Sequence, residues 1–366
     1  GGNYNVVVGD EAGTALTTGD GNTAIGFEAL KTATTASNNT AIGLNALKLN
    51  TSGAQNTAVG RLSADALTEG SANVALGNAA LTADTLGSKS VAVGNSALGA
   101  QNFTTATDTY NTAVGYNAGT LVTTGIKNSI LGGLAGDALT DADFNIAVGF
   151  AALSSDTLGS KSVAIGESAL GSQNFTTATD TFNTAVGHRA GSQITTGVEN
   201  TIIGGLAGDA ITTGNENTAL GKSAMSANTN GRRNTALGHS ALAAYNHTTA
   251  TNAYNVAVGY NAGAAVTTGV ENTIIGGLAG AALTDADFNI AIGWGALNSD
   301  TLGSKSVAIG TAALITQNFT TATDTHNTAV GHAAGTAVTT GVENTLIGSL
   351  AGSSLTDADY NVTLGY

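Results

Sequence analysis

A five-residue motif, Asn/Ser-x-x-Val/Ile/Leu-Gly, recurs along the whole 366-residue chain and ends at twenty-one glycines, from Gly9 to Gly365. The step is 17 residues, except that Gly94, Gly166, Gly238 and Gly310 are each followed by a step of 21. These four glycines lie 72 residues apart, so a super-repeat of four coils overlies the basic one. A short fixed period is the signature of a solenoid, whose coils bury their apolar surface only by stacking on one another.

Counted from the motif glycine as zero, position −1 is Val, Ile or Leu in every coil. Position −3 is Thr, Val or Ile everywhere except Ser129, and position −2 is mostly Ala. β-branched residues at period two predict a short strand. The dense glycine and the missing 3.6-residue period exclude an amphipathic helix. Position −4 is Asn in eighteen coils and Ser in three (Ser90, Ser162, Ser306), which predicts an amide ladder between coils about 4.8 Å apart. The ladder and corner positions are represented by Asn111, Asn183, Asn255 and Asn327 with Gly115, Gly187, Gly259 and Gly331. Ala at position +3, with Ser63 as the exception, marks a tight corner, and Thr-Thr-Gly runs such as 123–125 mark a polar turn. The expected architecture is an all-β parallel solenoid of about 21 coils, running as one array over 1–366. The repeat is in progress at both ends, so a segment of a longer chain is expected.

Composition agrees with this reading. The chain has no Pro, which a continuous strand ladder disfavours because Pro lacks the N–H donor. It has no Cys, so disulfides and thiolate metal sites are excluded. A net charge of −14 argues against nucleic-acid binding, which needs a basic stripe. No run reaches the length of a membrane-spanning helix, so no membrane insertion is expected of this segment.

Ser162-Val163-Ala164-Ile165-Gly166 and Ser306-Val307-Ala308-Ile309-Gly310 resemble the signature of YadA-type head repeats of trimeric autotransporter adhesins, and Ser90-Val91-Ala92-Val93-Gly94 is a near match. The commoner Asn-Thr-Ala-Val/Ile-Gly form is similar to YadA-like repeats in phage tail-fibre and structural proteins. The resemblance implies a left-handed parallel β-roll, a homotrimer and surface attachment without catalysis. The period of 17 or 21 exceeds that usual in bacterial heads, and Ala replaces their next Ser. The longer polar turn and the super-repeat favour the phage branch. The expected function is therefore a structural segment of a tail fibre or other virion appendage, a shaft with a role in host attachment. Its partners would be copies of itself, other virion proteins and a host-surface glycan or protein. The alternative is a bacterial cell-surface adhesin head. An ice-binding solenoid and a polysaccharide-degrading β-helix are further alternatives.

Twenty steps of about 4.8 Å predict a length of about 100 Å. The four extra residues in every fourth coil predict bulging loops. Their aromatic or His residues are candidate ligand contacts: Phe103 and Tyr110, Phe175 and Phe182, Tyr245 and Tyr254, Phe319 and His326. Position −5 alternates cations and aromatics from Lys89 to Phe182, which predicts cation–π contacts or a stripe on which sugars stack. Ile130, Ile202, Ile274 and Leu346 replace Ala at −2, and Leu134, Leu206, Leu278 and Leu350 follow the same glycines by two. Strand parity would put each pair on one face, as an interchain lock.

No catalytic residue, cofactor or metal is expected. His188 and His239 share a column three coils apart, about 14 Å, too far for one metal ion. Asp141 with Asp143, Asp285 with Asp287 and Asp357 with Asp359 suggest a Ca²⁺ loop but lack a bidentate acid at the required spacing.

Overall fold

The computed structural model describes residues 2–366 and is all-β, a parallel β-solenoid of about twenty-one turns with about 17 residues per turn. The chain forms two compact units, Gly1–Phe182 and Asn183–Tyr366. Every motif supplies one three-residue strand at positions −3 to −1. In the first unit Thr23–Ile25 pairs in parallel with Thr40–Ile42, which pairs with Thr57–Val59. In the second unit Thr201–Ile203 pairs with Thr218–Leu220 in the same register.

The strands are turned so that position −2 points inward. Ala24, Ala41 and Ala58 are fully buried, while the flanking Thr and Val or Ile are half-exposed or exposed. The lumen is narrow, which is why Ala lines it. Ala at +3 and at least one larger side chain complete most interiors. That larger side chain is Leu at +4, as in Leu47, Leu98 and Leu153, or an aliphatic at +7, as in Val122 and Leu139. Each contributes about 2 kcal/mol by burial. Where +7 takes that role, +4 is small: Gly119 precedes Val122 and Gly136 precedes Leu139.

Turning a coil in so few residues demands unusual backbone. The motif glycines lie near φ +135, a region closed to other residues. A Cβ on Gly43 would stand 2.4 Å from the carbonyl oxygen of Gly60 in the next coil. Positions −5, +2 and +4 are left-handed even when they carry side chains, as at Lys89 (φ 63), Glu28 (φ 53) and Leu30 (φ 52). Such placements cost about 1–3 kcal/mol each, so a coil alone would not hold its shape. Hydrogen bonds between coils offset the strain. Glu28 N donates to Asp10 O at 3.0 Å and Leu30 N to Ala46 O at 3.0 Å.

Two expectations change. The long loops do not simply bulge, because their second halves add a small ladder of their own. Thr107–Asp108 pairs with Gly87–Ser88, and the same pairing recurs at 159–160 with 179–180, 231–232 with 251–252, and 303–304 with 323–324. The Ile/Leu pairs do not share a face either. Ile130, Ile202, Ile274 and Leu346 are buried inside the coil, whereas Leu134, Leu206, Leu278 and Leu350 are half-exposed. Parity fails because Gly132 (φ 139) and Leu134 (φ 57) leave strand geometry.

Candidate functional site

Within each unit the asparagine column links successive coils, with a break after Ser90 and after Ser306, where Asn111 N and Asn327 N donate to Thr109 Oγ1 and Thr325 Oγ1 instead, at 3.4 and 3.5 Å. Asn128 N donates to Asn111 Oδ1 at 2.9 Å, and Asn111 Nδ2 donates to Gly125 O at 2.7 Å and to Gln101 Oε1 at 2.9 Å. Asn183 Nδ2 donates to Gly197 O, Asn255 Nδ2 to Gly269 O and Asn327 Nδ2 to Gly341 O, each at 2.7 Å. All four asparagines are buried. Their amides tie strand to turn across coils. Gly115, Gly187, Gly259 and Gly331 are corners with φ between 132° and 144°.

The two ends of each long loop separate. Phe103, Phe175 and Phe319 are less than a tenth exposed and Tyr245 is fully buried, so these four are not ligand contacts. Phe103, Phe175 and Phe319 are held there by their N–H groups, which donate to Asp84, Asp156 and Asp300 Oδ1, and Tyr245 takes the interior place that Gln101, Gln173 and Gln317 fill elsewhere. Tyr110, Phe182, Tyr254 and His326 remain on the surface.

Beneath the long loops lies a buried polar cluster that the sequence reading missed. Asp84 Oδ1 accepts from Gly87 N (3.0 Å) and Phe103 N (3.2 Å), and Oδ2 accepts from Gln101 Nε2 (2.6 Å). Gln101 Nε2 also reaches Ser90 Oγ (2.8 Å), which meets Thr109 Oγ1 at 2.5 Å. Burial pushes the Asp84 carboxyl up, against the pull of these donors. Asp156 with Gln173, and Asp300 with Gln317, repeat the arrangement at 2.5 Å. The signal was present: Ser replaces Asn at −4 only where this cluster fills the space. The third copy along the chain differs, with Asn228, Asn234, Tyr245 and Ala253 in those places. Burial pushes the Tyr245 phenol up.

At position −5, Lys89 lies over the Tyr110 ring (5.1 Å), Lys127 over Phe144 (4.9 Å), Lys161 over Phe182 (5.2 Å) and Arg233 over Tyr254 (5.7 Å). Lys89 and Lys161 also pair with Asp108 and Asp180, at 2.6 and 2.5 Å. The cations occupy ring faces, and Lys89, Lys161 and Arg233 clasp the ends of long loops, which leaves this stripe poorly suited to stacking sugars.

Asp143 Oδ1 accepts from Ile126 N at 2.7 Å and Asp141 Oδ1 from Thr124 Oγ1 at 2.6 Å. These acids fasten adjacent turns. Among the described residues no group of three or more His, Asp or Glu is placed to hold a metal ion.

Two other columns face outward. Position −1 is aliphatic in every coil and exposed at Val8, Ile25, Val59, Leu131 and Ile165 in the first unit. In the second unit it is exposed at Leu220, Leu237, Ile275 and Ile347. Position +1 is a mosaic that includes exposed Phe27, Tyr116, Phe150, Tyr260 and Trp294. No helix is long and apolar enough to cross a membrane among the described residues. Compared with known protein families and with curated proteins, the chain matches none.

Proposed function

We propose that this chain is a structural segment of a trimeric surface appendage, a virion tail fibre or a similar fibre, that serves in attachment and carries no catalytic site. The aliphatic column at position −1 is the observation that carries this reading. A strand face that shows Val, Ile or Leu to solvent at every coil exceeds what a monomer normally leaves uncovered. A regular partner with the same coil spacing would cover it, and a second copy of this chain has that spacing. Fibre duty also fits the interior, which is filled by Ala, one large aliphatic or a closed polar cluster, and Asn amides. The resemblance to YadA-type repeats points to three copies and to a cell-surface or virion setting.

Ile25→Glu combined with Val59→Glu tests the reading. Both side chains point away from the lumen, so the coils should persist while sedimentation shows the assembly falling apart. An unchanged sedimentation coefficient would remove the −1 column as the self-association face.

A further inference from the structure

Position +1 contains the same local set once in each unit. Tyr116-Asn117, Gly133-Leu134 and Phe150-Ala151 follow one another in three successive coils of the first unit. Tyr260-Asn261, Gly277-Leu278 and Trp294-Gly295 do so in the second. The four aromatics are 55 to 61 % exposed. Side chains in this column stack along the coil direction, since the His239 ring lies on Tyr260 with centroids 5.6 Å apart and planes at 27°. Gly277 is a missing rung in that stack. A Cβ there would meet only Trp294 Cδ1, at 3.6 Å, and one on Gly133 would meet Phe150 Cδ2 at 3.7 Å and Tyr116 O at 3.9 Å. A ring inserted at the height of the glycine would sit about 4.8 Å from the coil on either side, inside the 4.5–7 Å range of ring stacking.

We propose that these two gaps, Tyr260–Gly277–Trp294 and Tyr116–Gly133–Phe150, are subsites for a hexopyranose ring of a neutral glycan. The ring faces supply apolar stacking for the C–H face of the sugar. The Tyr hydroxyl and the adjacent Asn side chain, which is half-exposed and makes no side-chain hydrogen bond among the described residues, supply partners for its hydroxyls. The net charge of −14 disfavours an acidic glycan. The neighbouring −1 column is uniform and aliphatic, as a self-association face requires, whereas this column is interrupted by glycine and polar residues. The inference deepens the attachment reading above and rests on it.

Trp294 is the single tryptophan of the chain, so its fluorescence reports one of the two gaps directly. The full chain is titrated with cellohexaose, chitohexaose and maltohexaose at millimolar concentration. A saturable shift in indole emission with at least one of them is expected. Gly277→Phe should fold, because Phe27 and Phe150 occupy the same position, and should abolish the shift. Tyr260→Ala should weaken affinity about tenfold. No shift with any of the three while acrylamide still quenches Trp294 would overturn the proposal, as would undiminished binding by Gly277→Phe. Trp294 shielded from acrylamide before sugar is added would overturn it too, assigning the gap to a second copy. The mass of the assembly is read separately, so loss of glycan binding and loss of the fibre reading remain distinguishable.

Discussion

Ile130 occupies space that Gly119 vacates: a Cβ on Gly119 would stand 2.8 Å from Ile130 Cδ1. The same fit joins Ile274 to Gly263 at 2.9 Å and Leu346 to Gly335 at 2.8 Å. Wherever position −2 grows from Ala to Ile or Leu, position +4 shrinks to Gly in its own coil and the one before. Lumen volume is conserved by exchange between columns rather than within one.

That fit predicts strong coupling between the two sites. Gly119→Ala should cost about 1–3 kcal/mol through overpacking, on top of the strain of its left-handed backbone (φ 57). Ile130→Ala should cost about 2–5 kcal/mol through the cavity it leaves. In the double variant the overpacking share of the Gly119→Ala penalty should vanish while the cost of its left-handed backbone (φ 57) remains, giving a coupling of about 0.5–2 kcal/mol in a chemical-unfolding cycle.

Glycines in adjacent positions should differ sharply. Gly43→Ala meets both the φ of +135 and the Gly60 carbonyl, so it should lower the melting temperature more than any surface change. Gly205 lies one residue beyond a motif glycine, with nothing within 4 Å of its Cβ position. Gly205→Ala should stay within about 0.5 kcal/mol of the parent.

The asparagine ladder should be intolerant of truncation. Asn39 Oδ1 accepts from Asn56 N at 2.9 Å and Asn39 Nδ2 donates to Gly53 O at 2.9 Å. Asn39→Ala leaves both partners buried without a bond, and each should cost about 1–3 kcal/mol. Asn39→Ser should not rescue the loss: Asn50 stands where Gln101 does relative to Ser90 but is one methylene shorter, and the 17-residue coil that follows has no counterpart of the Thr109 hydroxyl. Thermal melts of the two variants check this.

Two carboxylates should bend the pH profile in opposite directions. The Lys31 and Lys48 ammonium groups hold Glu28 down to about 2, from an ordinary 4.5. Its folded value lies below its unfolded one, so its stabilisation is present above about pH 4.5 and is lost as pH falls towards 2. Burial raises Asp84 above its ordinary 3.8. Its contribution is therefore complete below 3.8 and is lost as pH rises through the folded value. The melting-temperature difference between parent and Glu28→Gln should grow with pH across the acid window. The difference between parent and Asp84→Asn should shrink with rising pH from 3.8 and then level off.

Much of the fold was legible because the motif names its own geometry. Alternation around −2 marked the strand, glycine marked the forbidden corner, and Asn marked the ladder. The direction each side chain faces was harder to read. Val and Ile ordinarily mark the core, yet here Ala24 lies inside and Ile25 outside, because the lumen has room only for a methyl at that height. The left-handed residues were invisible, since Lys89, Tyr110 and Leu98 belong to types with no preference for positive φ. The buried end of each long loop was missed for a related reason. Phe103 and Tyr110 look alike in sequence, and what separates them is that Phe103 N is bonded to the buried Asp84 carboxylate, a long-range partner that local sequence does not announce.

The most direct test of the account is the mass of the native assembly, by native mass spectrometry or sedimentation equilibrium. The outward aliphatic column and the resemblance together predict a particle of three times the 35.6 kDa chain. A stable, soluble species with the mass of one chain would contradict that claim.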